Sequence, residues 1–298
     1  MARNREKIGS LTHQVQKAYD AKLAIGQSKH QDKIKGITQD KIYSWATYKS
    51  YMKHANYFVK WAKEENGCRT LGECRQYVDD WLTKRMDEVS PYTQKLEASA
   101  LAKLYGCKTT DFVKTDVRHR SEISRSRGEK VRDYHFSEKR NSELVEFCRS
   151  TGLRRSELEA LTGDKLIMKG NKPYILVNKA SKGGKTRVVP VIGNERWVIE
   201  KMRSAESGKV FDKVPNGADI HGYRADYATA YYEQIARPIS DIPFDKINNG
   251  SGKPYQSEVY ICRGELKGVK YDKTAMLEVS KALGHNRISV IAGHYIRG

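Results

Sequence analysis

Apolar residues along this 298-residue chain recur mostly at helical spacing and alternate only in short runs, which predicts an α+β protein, mainly helical, with a few small strands. From Thr47, the residues Tyr48, Tyr51, Met52, Ala55, Phe58, Val59 and Ala62 share one helical face, with Thr47 placed to cap and Lys49, Lys53, Lys60 and Lys63 off the stripe. This is an amphipathic helix with a basic back. Further helices are predicted from Leu71 to Asp87 and, after the start signal Ser90-Pro91, from Tyr92 to Tyr105. Residues 41–116 therefore read as a small all-α domain. Residues 1–40 are polar and carry one weakly helical patch around Val15 to Ile25, so they read as a basic arm, flexible or loosely docked.

The pattern changes character after residue 133. Ser137 can cap a helix ending near Thr151-Gly152, and Ser156 with Glu159 offers a capping box for the next. Tyr174 to Lys179 and Thr186 to Val191 read as strands joined by a glycine-permitted turn, Ala180-Ser-Lys-Gly-Gly-Lys185. A helix from Ile220 to Ala236 follows. Pro238 to Asp272 is rich in Gly, Pro and Asn but holds Glu258 to Cys262 and Gly268 to Tyr271, which pair as a second hairpin. A last helix covers Leu277 to Leu283, and Gly284 supplies its left-handed cap. Residues 134–298 are thus a mixed α/β domain with an insertion at about 238–272. Between the domains, 117–133 contains Arg118, Arg120, Arg125, Arg127, Lys130 and Arg132 without apolar periodicity. It reads either as a solvated charged loop or as a linker drawn to a phosphate backbone.

Charge narrows the choice of partner. Lys and Arg number 55 against 36 Asp and Glu, a formal charge of +19, which favours a polyanionic partner. Nucleic acid leads, although acidic lipids and acidic proteins also suit such a surface. Mean hydropathy is −0.73, and the first ten residues, MARNREKIGS, have no apolar run behind them. A spanning helix and a secretory signal are not expected, and the chain reads as a soluble cytoplasmic protein that does not use a membrane. The five cysteines Cys68, Cys74, Cys107, Cys148 and Cys262 show no zinc-ligand spacing and read as reduced thiols.

Four segments carry polar residues suited to phosphate chemistry: Thr151-Gly-Leu-Arg154-Arg-Ser-Glu157-Leu, Lys182-Gly-Gly-Lys-Thr-Arg-Val-Val-Pro190, His221-Gly-Tyr-Arg224, and Leu283-Gly-His285 with Tyr295 ten residues on. Each alone also fits a plain helix start, a plain hairpin or a surface pair at i, i+3. In order and combination they resemble the tyrosine recombinase (phage integrase) family over about residues 45–298. That resemblance implies catalytic roles for Arg154, Lys182, His221, Arg224, His285 and the nucleophile Tyr295. Lys182 is preferred to Lys185 and Arg187 because it precedes Gly-Gly and keeps the family's offset from Val-Val-Pro190. Lys185 and Arg187 instead join Lys49, Lys53, Lys60, Arg118, Arg120, Arg125, Arg127 and Lys130 as expected DNA contacts. Glu157 is assigned a supporting hydrogen bond to Arg154 or to a backbone amide. The interval between Arg224 and His285 is longer than the family pattern because of the insertion, which is read as a surface hairpin or an extra DNA or partner contact.

The resemblance further implies a helical core-binding domain and a catalytic domain closing as a C-shaped clamp on double-stranded DNA. The enzyme would be a monomer when free and a homotetramer in the synaptic complex, with an accessory DNA-bending or directionality protein as a possible partner. The expected activity is site-specific recombination or integration for a mobile element, through a 3′-phosphotyrosyl intermediate and without metal, ATP or another cofactor. A type IB topoisomerase-like or resolvase enzyme, and a non-cleaving DNA-binding regulator, are the alternatives.

The chemistry of the residue types agrees. A phenol of reference pKa about 10 needs help to attack a phosphodiester at neutral pH. Two arginine forks can grip non-bridging oxygens and offset the charge that grows in a five-coordinate transition state. His285 and His221 would hold oxygens or move protons, and Lys182 would protonate the departing 5′-oxygen.

Overall fold

A computed structural model of the chain describes residues 9–119, 136–181, 186–242, 258–285 and 287–296. The chain divides into two units, Met1–Arg118 and His119–Gly298. Among the described residues no helix is long and apolar enough to cross a membrane.

The first unit is helical: α1 (Leu11–Asp20), α2 (Lys29–Ile34), α3 (Trp45–Asn66), α4 (Leu71–Arg75), α5 (Val78–Glu88) and α6 (Pro91–Tyr105). Ala55, Phe58, Val59 and Ala62 of α3 are buried, as their spacing requires, against Trp81, Leu82, Ala98 and Leu101. Ser44, rather than Thr47, caps α3, its hydroxyl accepting from the Thr47 amide. The predicted helix over 71–87 is two helices. Cys74, Val78, Trp81 and Leu82 all face one core across the break at Gln76 and Tyr77, so the apolar period continues although the backbone does not.

The expected flexible arm is corrected by the structure, because α1 belongs to this core. Leu11, Val15 and Tyr19 lie at i, i+4 and i+8 and are buried, and the Tyr19 hydroxyl donates to the Ala100 carbonyl at 2.8 Å. Leu23 and Ile42 then pair as a short parallel bridge that returns the chain to α3.

The second unit contains α7 (Ser142–Thr151), α8 (Arg155–Glu159), β1 (Leu166–Lys169), β2 (Lys172–Val177), β3 (Arg187–Pro190), α9 (Glu195–Ala205), α10 (Ile220–Ile235), β4 (Val259–Ile261), β5 (Lys270–Asp272), α11 (Lys273–Ala282) and α12 (Ile288–His294). Strands β1, β2 and β3 form an antiparallel sheet in that order, with Ile175 opposite both Leu166 and Val189. Sequence periodicity missed β1, whose burial fades along its length instead of alternating. The second hairpin is β4 and β5, Val259 pairing with Asp272. Helix α7 starts five residues after Ser137, and the start of α8 is capped by Glu157, whose carboxylate accepts from the Arg154 amide, rather than by Ser156 and Glu159. Phe147, Leu153, Leu158, Ile175, Met202, Tyr227, Met276 and Leu283 join these elements in one core, which fixes the ends of α7, α10 and α11 against one another.

Candidate active site

Helix α7 ends at Gly152, whose φ of +56° suits glycine, and an added Cβ there would lie 2.4 Å from the buried Tyr227 ring. The turn drives Leu153 into the core and leaves Arg154 at the start of α8. Glu157, three residues on, accepts from the Arg154 amide at 2.8 Å and from Arg154 Nη1 at 2.9 Å. One carboxylate thus caps the helix and orients the guanidinium. Arg187 on β3 donates from Nη1 and Nη2 to the two oxygens of the same carboxylate at 2.8 and 2.7 Å, and from Nε to the Ala282 carbonyl at 2.8 Å. Burial works to raise the Glu157 pKa, but the hydrogen bonds from Arg187 and the Arg154 amide outweigh it and bring it down to about 2.

Arg224, on the first turns of α10, is 1% exposed. Its Nη1 donates to the Gly152 carbonyl, and its Nη2 to the Leu283 carbonyl at 2.9 Å. Arg154 Nη2 donates to that same Leu283 oxygen at 2.8 Å. A single carbonyl at the end of α11 therefore holds two guanidinium groups side by side. The next residue, Gly284, has φ +69°, and a Cβ there would press on Arg154 Nη1 and Arg187 Cδ, both at 3.2 Å. Among the described residues, Arg224 Nε is buried without a hydrogen-bond partner. Burial pushes the Arg224 pKa down to about 10, with the neighbouring Tyr295 opposing, so its charge persists at neutral pH. A buried guanidinium whose two terminal nitrogens donate to neutral carbonyls leaves positive potential at this spot.

Tyr295 caps the C-terminal end of α12 and is 5% exposed. Its hydroxyl lies 3.1 Å from His285 Nε2, and its ring centroid is 5.6 Å from Arg224 Cζ and 6.2 Å from the His221 ring. The His285 amide donates to the Ser280 carbonyl at 2.8 Å, which sets the turn after α11. Arg154, Arg155, His221 and Arg224 line a cleft of about 460 Å³, with Glu159 and Asp219 also on its wall.

Five expected catalytic residues, Arg154, His221, Arg224, His285 and Tyr295, thus converge from α8, α10 and the two sides of α12. Lys182 lies outside the described residues, as do the expected DNA contacts Arg120, Arg125, Arg127, Lys130 and Lys185. Lys49, Lys53 and Lys60 are exposed on α3, with Lys53 over the Tyr57 ring. Arg118 stands over the Tyr92 ring.

Arg187 is corrected: its guanidinium is spent on Glu157 and the Ala282 carbonyl and is not a free DNA contact. The signal was present in the strand period, since Arg187 shares a face with the core residue Val189. Of the same box, sequence spacing marks Ser156 only as a cap and gives Arg155 no role. The Ser156 hydroxyl donates to the Ala180 carbonyl at 3.0 Å, at the base of the β2–β3 turn, and Arg155 reaches the chain before α10.

No protein-family model matches the sequence, and no curated protein does. The chain is similar to a solved structure of the XerH site-specific recombinase bound to palindromic difH substrate, with 15% identity, a TM-score of 0.49, and coverage of 97% of this chain and 91% of that one. It is also similar to the Tn1549 transposon integrase in complex with circular intermediate DNA, with 12% identity, a TM-score of 0.41, and coverage of 97% and 96%. At such identities and TM-scores, function rests on the residues of the site.

Proposed function

We propose that this chain is a site-specific DNA recombinase of the tyrosine (phage integrase) type, which cuts and rejoins DNA through a covalent tyrosyl intermediate. The observation that carries the reading is the grouping of the Tyr295 hydroxyl with His285, His221 and two arginines tied to one carbonyl. A phosphodiester placed in the adjoining cleft meets Arg154 and Arg224 through its non-bridging oxygens, and Arg224 Nε is a donor with capacity left for it.

In the proposed step Tyr295 Oη forms a bond to phosphorus while the bond from phosphorus to the 5′-oxygen breaks. The phenol proton passes to a neighbouring histidine, and Lys182 or solvent protonates the departing 5′-oxygen. The 3′-phosphotyrosyl ester keeps the bond energy, so a second 5′-hydroxyl can reverse the step without ATP. The arginines offset the growing charge, which is the work a cation performs in many nucleases. The first unit, with Lys49, Lys53 and Lys60 exposed on α3, supplies the core-binding surface of a clamp on duplex DNA. Synapsis of two duplexes by four protomers, with or without an accessory DNA-bending protein, completes the reading.

The test is covalent capture on nicked duplex DNA drawn from a random-sequence pool. Wild-type protein is expected to form a protease-sensitive adduct in the presence of EDTA, and Tyr295→Phe none, with DNA affinity within about twofold of wild type. An undiminished adduct yield from Tyr295→Phe overturns the assignment. Recombinant products from paired captured sites separate a recombinase from an enzyme that only relaxes DNA.

A further inference from the structure

Arg155 is adjacent to Arg154 in the chain and lines the same cleft, but its guanidinium has different partners. Its Nη1 donates to the carbonyls of Val214 and Pro215 at 3.0 and 2.9 Å, and its Nη2 to those of Asn216 and Ala218 at 3.4 and 3.0 Å. One guanidinium thus holds four carbonyls of a five-residue run, and this run leads straight into α10. Asp219 follows as the N-cap, its carboxylate accepting from the Gly222 amide, and His221 and Arg224 stand on the first turns after it. Residue 217 can only be small, because a Cβ on Gly217 would lie 2.9 Å from Phe136 Cβ.

We infer that Arg155 is a positioning residue, fixing the start of α10 to the start of α8 and thereby setting His221 and Arg224 against Arg154. The physical reason is rigidity at a junction. Arg154 is anchored by Glu157, which belongs to α8. Arg224 is anchored by the ends of α7 and α11. His221 stands on the first turn of α10, so its position follows from where the chain enters that helix. A planar fork that spans several carbonyls at once defines both position and orientation, which a lysine ammonium on a flexible stem does not. A displacement of about 1 Å at a phosphate site is enough to cost about a hundredfold in rate.

The inference rests on the recombinase reading, and its test separates the two. Arg155→Met and Arg155→Lys are compared with wild type on the duplex captured by the wild-type protein. The readouts are the adduct-forming rate at saturating DNA, the dissociation constant, and backbone hydrogen exchange over residues 214–224. For Arg155→Met the expected result is a rate lowered at least about tenfold with affinity within about twofold. Faster exchange should be confined to 214–224, with β2 and β3 unchanged. Arg155→Lys should keep the fold and recover only part of the rate. Wild-type rate in Arg155→Met, weakened affinity at an unchanged saturating rate, or faster exchange throughout the second unit would each overturn the inference. If wild-type protein forms no adduct, the recombinase reading falls, and exchange over 214–224 still decides whether Arg155 holds the start of α10.

Discussion

At Glu157 two influences act on one carboxyl in opposite directions. Burial favours the neutral acid, while hydrogen bonds from Arg187 and the Arg154 amide favour the anion and prevail, leaving a pKa of about 2. Because the folded value lies below the ordinary value of 4.5, the stabilisation is complete above that pH. It is lost as pH falls toward about 2. Glu157→Gln removes the charge that Arg187 and Arg154 share and should cost about 3 kcal/mol at neutral pH. It should also flatten the acid limb of a plot of Tm against pH. Wild type and variant losing stability in parallel below pH 4.5 would contradict this origin of the shift. In the sequence, the acid three residues after Arg154 was legible as a support for it. Arg187 as its second partner was not, because the partner lies 30 positions away and only the strand period aims it inward.

Helices and strands were legible wherever one face repeats long enough to stand out. α3 and α10 have clear stripes or clear bounds, and their ends fall within a few residues of those expected. α1 was legible only as a weakly helical patch from Val15 on, because only Leu11, Val15 and Tyr19 mark its buried face, and Lys, Gln and His between them dilute the average. The core is nevertheless built around those three. Val15 is fully buried, so Val15→Ala should lower the stability of the first unit by about 2 kcal/mol in urea unfolding. A freely moving arm would give no change. The site itself was legible as an ordered set of short motifs, yet its shared anchor was not. That anchor is the Leu283 carbonyl, a backbone atom any residue could supply.

For the molecule as a whole, charge and chemistry occupy different places and should respond differently to salt. The chain carries a net charge of +19, and where its charges face water, as at Lys49, Lys53 and Lys60, mobile ions screen them and counterion release governs DNA affinity. Arg224 lies within the second unit and is scarcely exposed, so added salt reaches its field weakly. Affinity for duplex DNA should therefore fall at least about a thousandfold between 50 and 200 mM salt if the footprint covers about six or more phosphates. The adduct-forming rate at saturating DNA should change by less than about threefold over the same range. Lys49→Ala combined with Lys53→Ala should reduce the salt slope of affinity by about two and leave the saturating rate alone. Arg224→Ala should do the reverse, lowering the saturating rate by at least about a hundredfold while the slope stays within about one unit of wild type. Measured together as a matrix of variants against salt, these separate a surface that finds DNA from the buried Arg224 and half-buried Arg154 that act on it. A saturating rate that follows the same salt slope as affinity would place the working charges on the surface and remove the basis for a preformed phosphate site.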